Sequence, residues 1–161
     1  MSSSDKASAP ALAALVATVG GIGRIGRAPG TLGSLAALPL AWGASLYGIA
    51  GLLAIAIAAF ALGWWASETY IHGGRIQDPP EVVIDEVAGQ ALTLAFAPLP
   101  LGLWGAAAGF ALFRLFDIWK PWPVSLSERR LPGGLGIMAD DIVAALYAGL
   151  VLIAARIILG A

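Results

Sequence analysis

The chain has 161 residues, 59% of them hydrophobic and only 12% charged, with a mean hydropathy of +0.85 and a formal net charge of −1. A soluble domain carries about 25% charged residues, so this composition excludes an ordinary soluble fold and points to a single domain, residues 1–161, embedded in a membrane. There is no cysteine, which removes disulfides, thiol nucleophiles and thiolate metal sites, and the near-neutral charge argues against a nucleic-acid partner.

Residues 1–10 are polar and are expected to be disordered. The apolar stretch 11–23 ends in glycines and arginines without a cleavage pattern, so no removable signal peptide is expected. Its first part, 11–19, reads as a helix lying on the membrane or tucked against the bundle. Residues 28–67 then run for 40 positions without an acidic or basic side chain. A spanning helix takes about 20 apolar residues, so this run predicts two helices, at 32–47 and 52–70, turning near Gly48 and Gly51. Trp64, Trp65 and Tyr70 suit the membrane interface. Gly73, Gly74, Pro79 and Pro80 punctuate a loop over 72–80.

A second uncharged run covers residues 87–113. Pro98, Pro100 and Gly102 break it, which predicts a short helix ending near Ala97 and another over 101–119. Residues 121–136 read as a polar loop containing Arg129-Arg130 and Gly133-Gly134, and 140–159 as the last helix. The expected fold is therefore all-α, a polytopic membrane bundle of about four to five membrane-embedded helices. If the break at Pro98 and Pro100 is a true reversal, every polar cluster falls on one face of that bundle. Arg24, Arg27, Arg75, Lys120, Arg129 and Arg130 lie on that side and Arg156 near the other end, so the positive-inside rule makes the cluster side cytoplasmic.

The acidic residues are concentrated rather than spread. Asp85-Glu86 is expected to open one helix and Asp140-Asp141 another, where the macrodipole favours acids. That reading does not explain why both pairs converge with Asp117 on one rim. Like charges this close raise one another's pKa unless a cation is present. Hard oxygen donors, with one histidine and no cysteine, select Mg²⁺, Mn²⁺ or Ca²⁺ over zinc. Asp85, Glu86, Asp117, Asp140 and Asp141 are the candidate metal ligands. Neighbours on a helix point about 100° apart, so one of each pair is expected to ligate while the other holds a water, a second metal or a base.

Two basic features accompany the acids. The loop Arg27-Ala28-Pro29-Gly30-Thr31-Leu32-Gly33-Ser34 runs into a helix. Its exposed amides, with the Thr31 and Ser34 hydroxyls, make a candidate phosphate seat at Gly30, Thr31, Gly33 and Ser34; as structure alone it is an N-cap after a Pro-Gly turn. In Arg114-Leu115-Phe116-Asp117-Ile118-Trp119-Lys120, Arg114 and Asp117 share a helix face and Lys120 follows close by. Arg114 and Lys120 are the candidate phosphate clamps, against a plain reading as an ion pair and a snorkelling lysine. His72, the one histidine, reads as a surface residue, and Glu68 as a helper or an interfacial acid.

Together these motifs resemble the phosphatidylglycerophosphatase A family of small membrane lipid phosphatases. The matching pieces are Ala28-Pro29-Gly30-Thr31-Leu32-Gly33-Ser34, Asp78-Pro79 with Val83-Ile84-Asp85-Glu86-Val87-Ala88-Gly89, the segment from Phe113 through Lys120 to Pro123, and Gly133-Gly134-Leu135-Gly136-Ile137-Met138-Ala139-Asp140-Asp141. They fall in order along about residues 20–159. The resemblance implies Mg²⁺-dependent hydrolysis of the terminal phosphomonoester of phosphatidylglycerophosphate, giving phosphatidylglycerol and phosphate in phospholipid biosynthesis. It also implies a phospholipid partner in the bacterial inner (cytoplasmic) membrane.

On that reading Asp85, Glu86, Asp140 and Asp141 hold one or two Mg²⁺, and Asp117 completes the shell or acts as base. The catalytic set is Asp85, Glu86, Asp117 and Asp141. A CDP-alcohol phosphotransferase is the competing enzyme class, but its repeated Asp-Gly and Ala-Arg signature is missing. A small cation transporter is the competing non-enzyme class; its carboxylates belong near mid-membrane rather than at helix ends. No oligomeric state follows from the sequence.

Overall fold

The computed structural model describes residues 10–72, 78–124 and 131–159. Arg75, Arg129 and Arg130, counted above toward the cytoplasmic side, lie outside the described residues, as does the polar segment 1–9. The described residues contain six α-helices and no strand: α1 Ala11–Ala17, α2 Pro29–Ser45, α3 Gly48–His72, α4 Ile84–Leu94, α5 Leu103–Trp119 and α6 Gly133–Leu159, with a 3₁₀ turn at Ile22–Arg24.

The short helix α4 is the hub. Nearly all its side chains are buried, and it packs against α2, α3, α5 and α6. Small residues let the surrounding helices come close. A Cβ at Gly33 of α2 would lie 2.8 Å from the Val83 Cβ, and one at Gly109 of α5 would lie 2.6 Å from the Leu94 Cδ2. At Gly63 of α3 a Cβ would lie 2.7 Å from the Met138 sulfur of α6 and 3.0 Å from Ile84.

These contacts also give the directions. The start of α2 meets the start of α4 at Gly30 and Glu86, while the end of α3 meets the start of α6 at Glu68 and Gly134. Glu86, at the start of α4, lies near Arg114 late in α5, whereas Leu94, at the end of α4, meets Gly109 in the middle of α5. The chain therefore reverses between α4 and α5, as the Pro98 and Pro100 reading requires. The starts of α2, α4 and α6 and the ends of α3 and α5, which bear the polar motifs, therefore fall on one side.

Among the described residues, α3 and α6, 25 and 27 residues long, are the helices with the length and composition of membrane spans. Most of their surface is exposed, and that surface includes Ile57, Leu62, Leu150 and Ile157. Exposed apolar side chains along a long helix suit an apolar solvent. α2 and α5 have 17 residues each and α4 has 11. Helix α1 is tucked in: Ala13 and Ala17 are buried, the Ala17 carbonyl accepts the Val83 amide at 2.9 Å, and Leu12 and Leu15 face outward.

One boundary departs from expectation. The last helix starts at Gly133, not near Asp140, and has no acid in its first turn. Glycine there suggested a loop, but it serves close packing: a Cβ at Gly134 would come within 2.8 Å of the Trp64 carbonyl oxygen. The Gly134 amide donates to the Glu68 carboxylate at 2.6 Å. Asp140-Asp141 therefore sits two turns inside α6, and the macrodipole reading of that pair does not hold.

Candidate active site

The first turn of α4 presents Asp85 and Glu86, where unpaired amides and the helix dipole favour negative charge. Across from it, α6 presents Asp140 and Asp141, 7% and 3% exposed. Ligand oxygens of Asp85, Glu86 and Asp141 all lie within 4.8 Å of one another. A cavity of about 680 Å³ opens onto them, and Asp117, Lys120, Asp140 and Asp78 line it as well. All five carboxylates expected from the sequence, and Lys120, therefore meet in one place.

Within that cavity the acids are not equivalent. Asp140 is held by Lys120, whose Nζ donates to its Oδ2 at 2.7 Å. Asp117 accepts from Arg114 on the same helix. Lys120 terminates α5 in a left-handed conformation, φ 46° and ψ 56°, which aims the following Pro121 segment away from the helix axis. Left-handed geometry at a helix end normally goes to glycine; here a lysine takes it.

The basic and glycine residues expected to seat phosphate separate from Lys120. Gly30, Thr31, Gly33, Ser34 and Arg114 do not line the cavity. Ser34 is fully buried, and its hydroxyl donates to the Gly30 carbonyl at 2.9 Å. A Cβ at Gly30 would run into the Glu86 carboxylate and would lie 3.0 Å from the Arg114 Nη1. The positive end of α2 therefore faces Glu86. Gly30 and Gly33 stand where the start of α2 touches the start of α4, Gly30 against Glu86 and Gly33 against Val83.

Burial, then the charges of Glu86 and Asp141, push the Asp85 carboxyl well above the usual carboxylate range. Burial also raises the Glu86 carboxyl, against lowering by its hydrogen bond with Asp85 and by the Arg114 charge. Glu86 Oε2 and Asp141 Oδ2 are closed off from solvent with no hydrogen-bond partner among the described residues. Buried acceptors without donors cost about 1–3 kcal/mol each, and two of them beside a third carboxylate are what a hard divalent cation would satisfy. Asp85, Glu86 and Asp141 fit such an ion; Mg²⁺ is one that meets this donor set.

Three further polar residues are placed around this end of the bundle. Asp78, which lines the cavity, stood in a quoted motif without a role. Glu68 received no structural partner, because nothing local links it to Gly134, 66 residues away. Gln90 is fully buried, one turn along α4 from Glu86, with both amide atoms unpartnered among the described residues; an amide in an apolar helix was the available signal.

The family model described as phosphatidylglycerophosphatase A matches residues 15–156. Phosphatidylglycerophosphatase A of Escherichia coli (strain K12) is 38% identical over 117 residues, covering 68% of this chain and 63% of that protein. The protein of the same name from Haemophilus influenzae (strain Rd) is 40% identical over 110 residues, covering 68% of this chain and 67% of its own length. A Bacteroides thetaiotaomicron protein, provisionally named a phosphatidylinositol-3-phosphatase, is 40% identical over 85 residues, covering 52% of this chain and 53% of its own. No solved structure matches the chain. With the four motifs and the acid-lined cavity in place, the match over residues 15–156 assigns the chain to the phosphatidylglycerophosphatase A family.

Proposed function

We propose that this protein is a Mg²⁺-dependent lipid phosphatase acting on phosphatidylglycerophosphate, releasing phosphatidylglycerol and inorganic phosphate as a step of phospholipid biosynthesis. The observation that carries the reading is that Asp85, Glu86, Asp141 and Lys120 line one cavity at the polar end of an apolar bundle. The family membership and the names of the relatives support the substrate. Mg²⁺ held by Asp85, Glu86 and Asp141 would supply charge for the phosphate oxygens and a more acidic water.

The chain's own residues supply the rest. Lys120 carries three N–H donors and exchanges Asp140 for a phosphate oxygen when substrate enters. Asp140 holds the ammonium at the cavity until then. Asp117, on the same wall, accepts the proton of the attacking water. The bond from phosphorus to the glycerol oxygen breaks as the water oxygen bonds to phosphorus, and the leaving oxygen takes the proton that Asp117 accepted, which restores the Asp117 carboxylate.

A lipid substrate suits the location. The phosphomonoester reaches the carboxylate rim while the acyl chains stay among the exposed apolar side chains of the bundle. We place α2, α3, α5 and α6 in the membrane around the shorter α4, as one domain of the bacterial inner membrane. Arg24, Arg27 and Lys120 at the polar end, with Arg156 near the other, support a cytoplasmic site.

The test is phosphate release from phosphatidylglycerophosphate in detergent, with Mg²⁺ or with chelator, beside Asp141→Asn. Release that requires both the metal and Asp141 is expected. Faster release from phosphatidylinositol 3-phosphate would move the assignment to another head group. No release from folded protein, together with ion flux in liposomes, would replace the enzyme reading with a transporter.

A further inference from the structure

Two cations stand near the end of α5, six residues apart, and the structure puts them on different sides of the acid cluster. Lys120 lines the cavity; Arg114 does not. The Arg114 side chain is only 15% exposed, and its Nε is buried. Its Nη1 contacts the Asp117 carboxylate of the same helix and lies 3.8 Å from Glu86 Oε1 on α4. The first turn of α2 closes the third side, since a Cβ at Gly30 would meet both the guanidinium and Glu86.

We propose that Arg114 is a positioning residue: its guanidinium ties Asp117 of α5 to Glu86 of α4 behind the acid trio, leaving the second Glu86 oxygen turned to the cation, and it does not touch the substrate phosphate. The proposal rests on the reading of Asp85, Glu86 and Asp141 as a metal site. A phosphate reaching Arg114 from the cavity would have to displace Asp117 or Glu86. Glu86 Oε1 faces Arg114, and Glu86 Oε2 is the oxygen that has no partner. A single guanidinium nitrogen, Nη1, stands between two carboxylates on two helices, a position that the shorter side chain of a lysine does not reproduce. An arginine in such a place was expected from its sequence position to clamp phosphate; its surroundings make it a strut instead.

The experiment compares Arg114→Lys with Lys120→Gln in the full chain in detergent. Mn²⁺ binding is read by electron paramagnetic resonance, and inorganic phosphate binding by calorimetry at saturating Mg²⁺. Loss of a group that orients a metal ligand costs about 10–100-fold in metal affinity. Arg114→Lys is expected to weaken Mn²⁺ by at least about tenfold and to leave phosphate binding within about twofold; Lys120→Gln is expected to do the reverse. Should Arg114→Lys not fold, Gly30→Ala replaces it, because the added methyl presses on Glu86 and Arg114 from outside the cavity, and the same split is expected.

Unchanged Mn²⁺ affinity in Arg114→Lys overturns the proposal, as does a matching loss of phosphate affinity, which would put Arg114 on the substrate. If wild-type protein binds Mn²⁺ but releases no phosphate from any lipid, the phosphatase reading fails while these isotherms still decide the role of Arg114.

Discussion

Glu68, in the last turns of α3, accepts the Gly134 amide of α6 at 2.6 Å, across 66 residues of sequence. The first amides of a helix have no partner within it, and here the cap comes from another helix. The contact fixes where α6 begins, and so sets the height of Asp141, seven residues on, relative to α4. Glu68→Ala is expected to cost about 1 kcal/mol, the usual value of an N-cap. Unfolding of the detergent-solubilised protein would measure it, and an unchanged midpoint would show that the cap is replaced by water.

The same helix start tests close packing. A Cβ at Gly134 would press on backbone, the Trp64 carbonyl oxygen at 2.8 Å, not on a side chain that can swing aside. Gly134→Ala is expected to destabilise by about 1–3 kcal/mol through overpacking. Gly43→Ala is the control, since nothing lies within 4 Å of its Cβ position. Equal melting of the two variants would refute the argument.

Asp140 and Asp141 are adjacent in sequence and are predicted to differ in effect. Asp141 belongs to the trio, whereas Asp140 pairs with Lys120 at 2.7 Å. Asp141→Asn should weaken divalent-ion affinity by at least about tenfold. Asp140→Asn should leave that affinity nearly intact and act on substrate binding through Lys120. Titration of each variant with Mn²⁺ separates the two; equal losses would mean that both acids ligate.

The raised Asp85 and Glu86 carboxyls make a prediction with a definite sign. With folded-state values above the unfolded ones, the native protein holds more protons than the unfolded chain from about pH 4 upward. Stability of the metal-free protein must therefore fall as pH rises through that window. In chelator, the melting temperature should be lower at about pH 8 than at about pH 5, and saturating Mg²⁺ should flatten the difference by stabilising the ionised form. A metal-free melting temperature that climbs with pH would contradict the placement of these carboxyls.

Much of the architecture is legible in the sequence alone. The two charge-free runs located four helices, and Pro98 and Pro100 located the reversal that brings Asp85-Glu86 and Asp117 to the same end. Proline and charge act locally, so their effect on the backbone can be read locally. The start of α6 was misplaced because Gly133, Gly134 and Gly136 mean a loop by propensity and a close helix contact by packing, and only the facing helix α3 distinguishes the two.

The sequence by itself determined an all-α, apolar chain with its carboxylates gathered at one end, since uncharged length needs no partner to be recognised. Only the tertiary structure decided which carboxylates converge. Asp141 joins Asp85 and Glu86 while Asp140 pairs with Lys120, and Arg114 stands behind the cluster while Lys120 lines it. The physical reason is rotation: successive residues on a helix point about 100° apart, and the angle at which α4, α5 and α6 face one another is set by how Gly63, Gly109 and Gly134 let their neighbours approach.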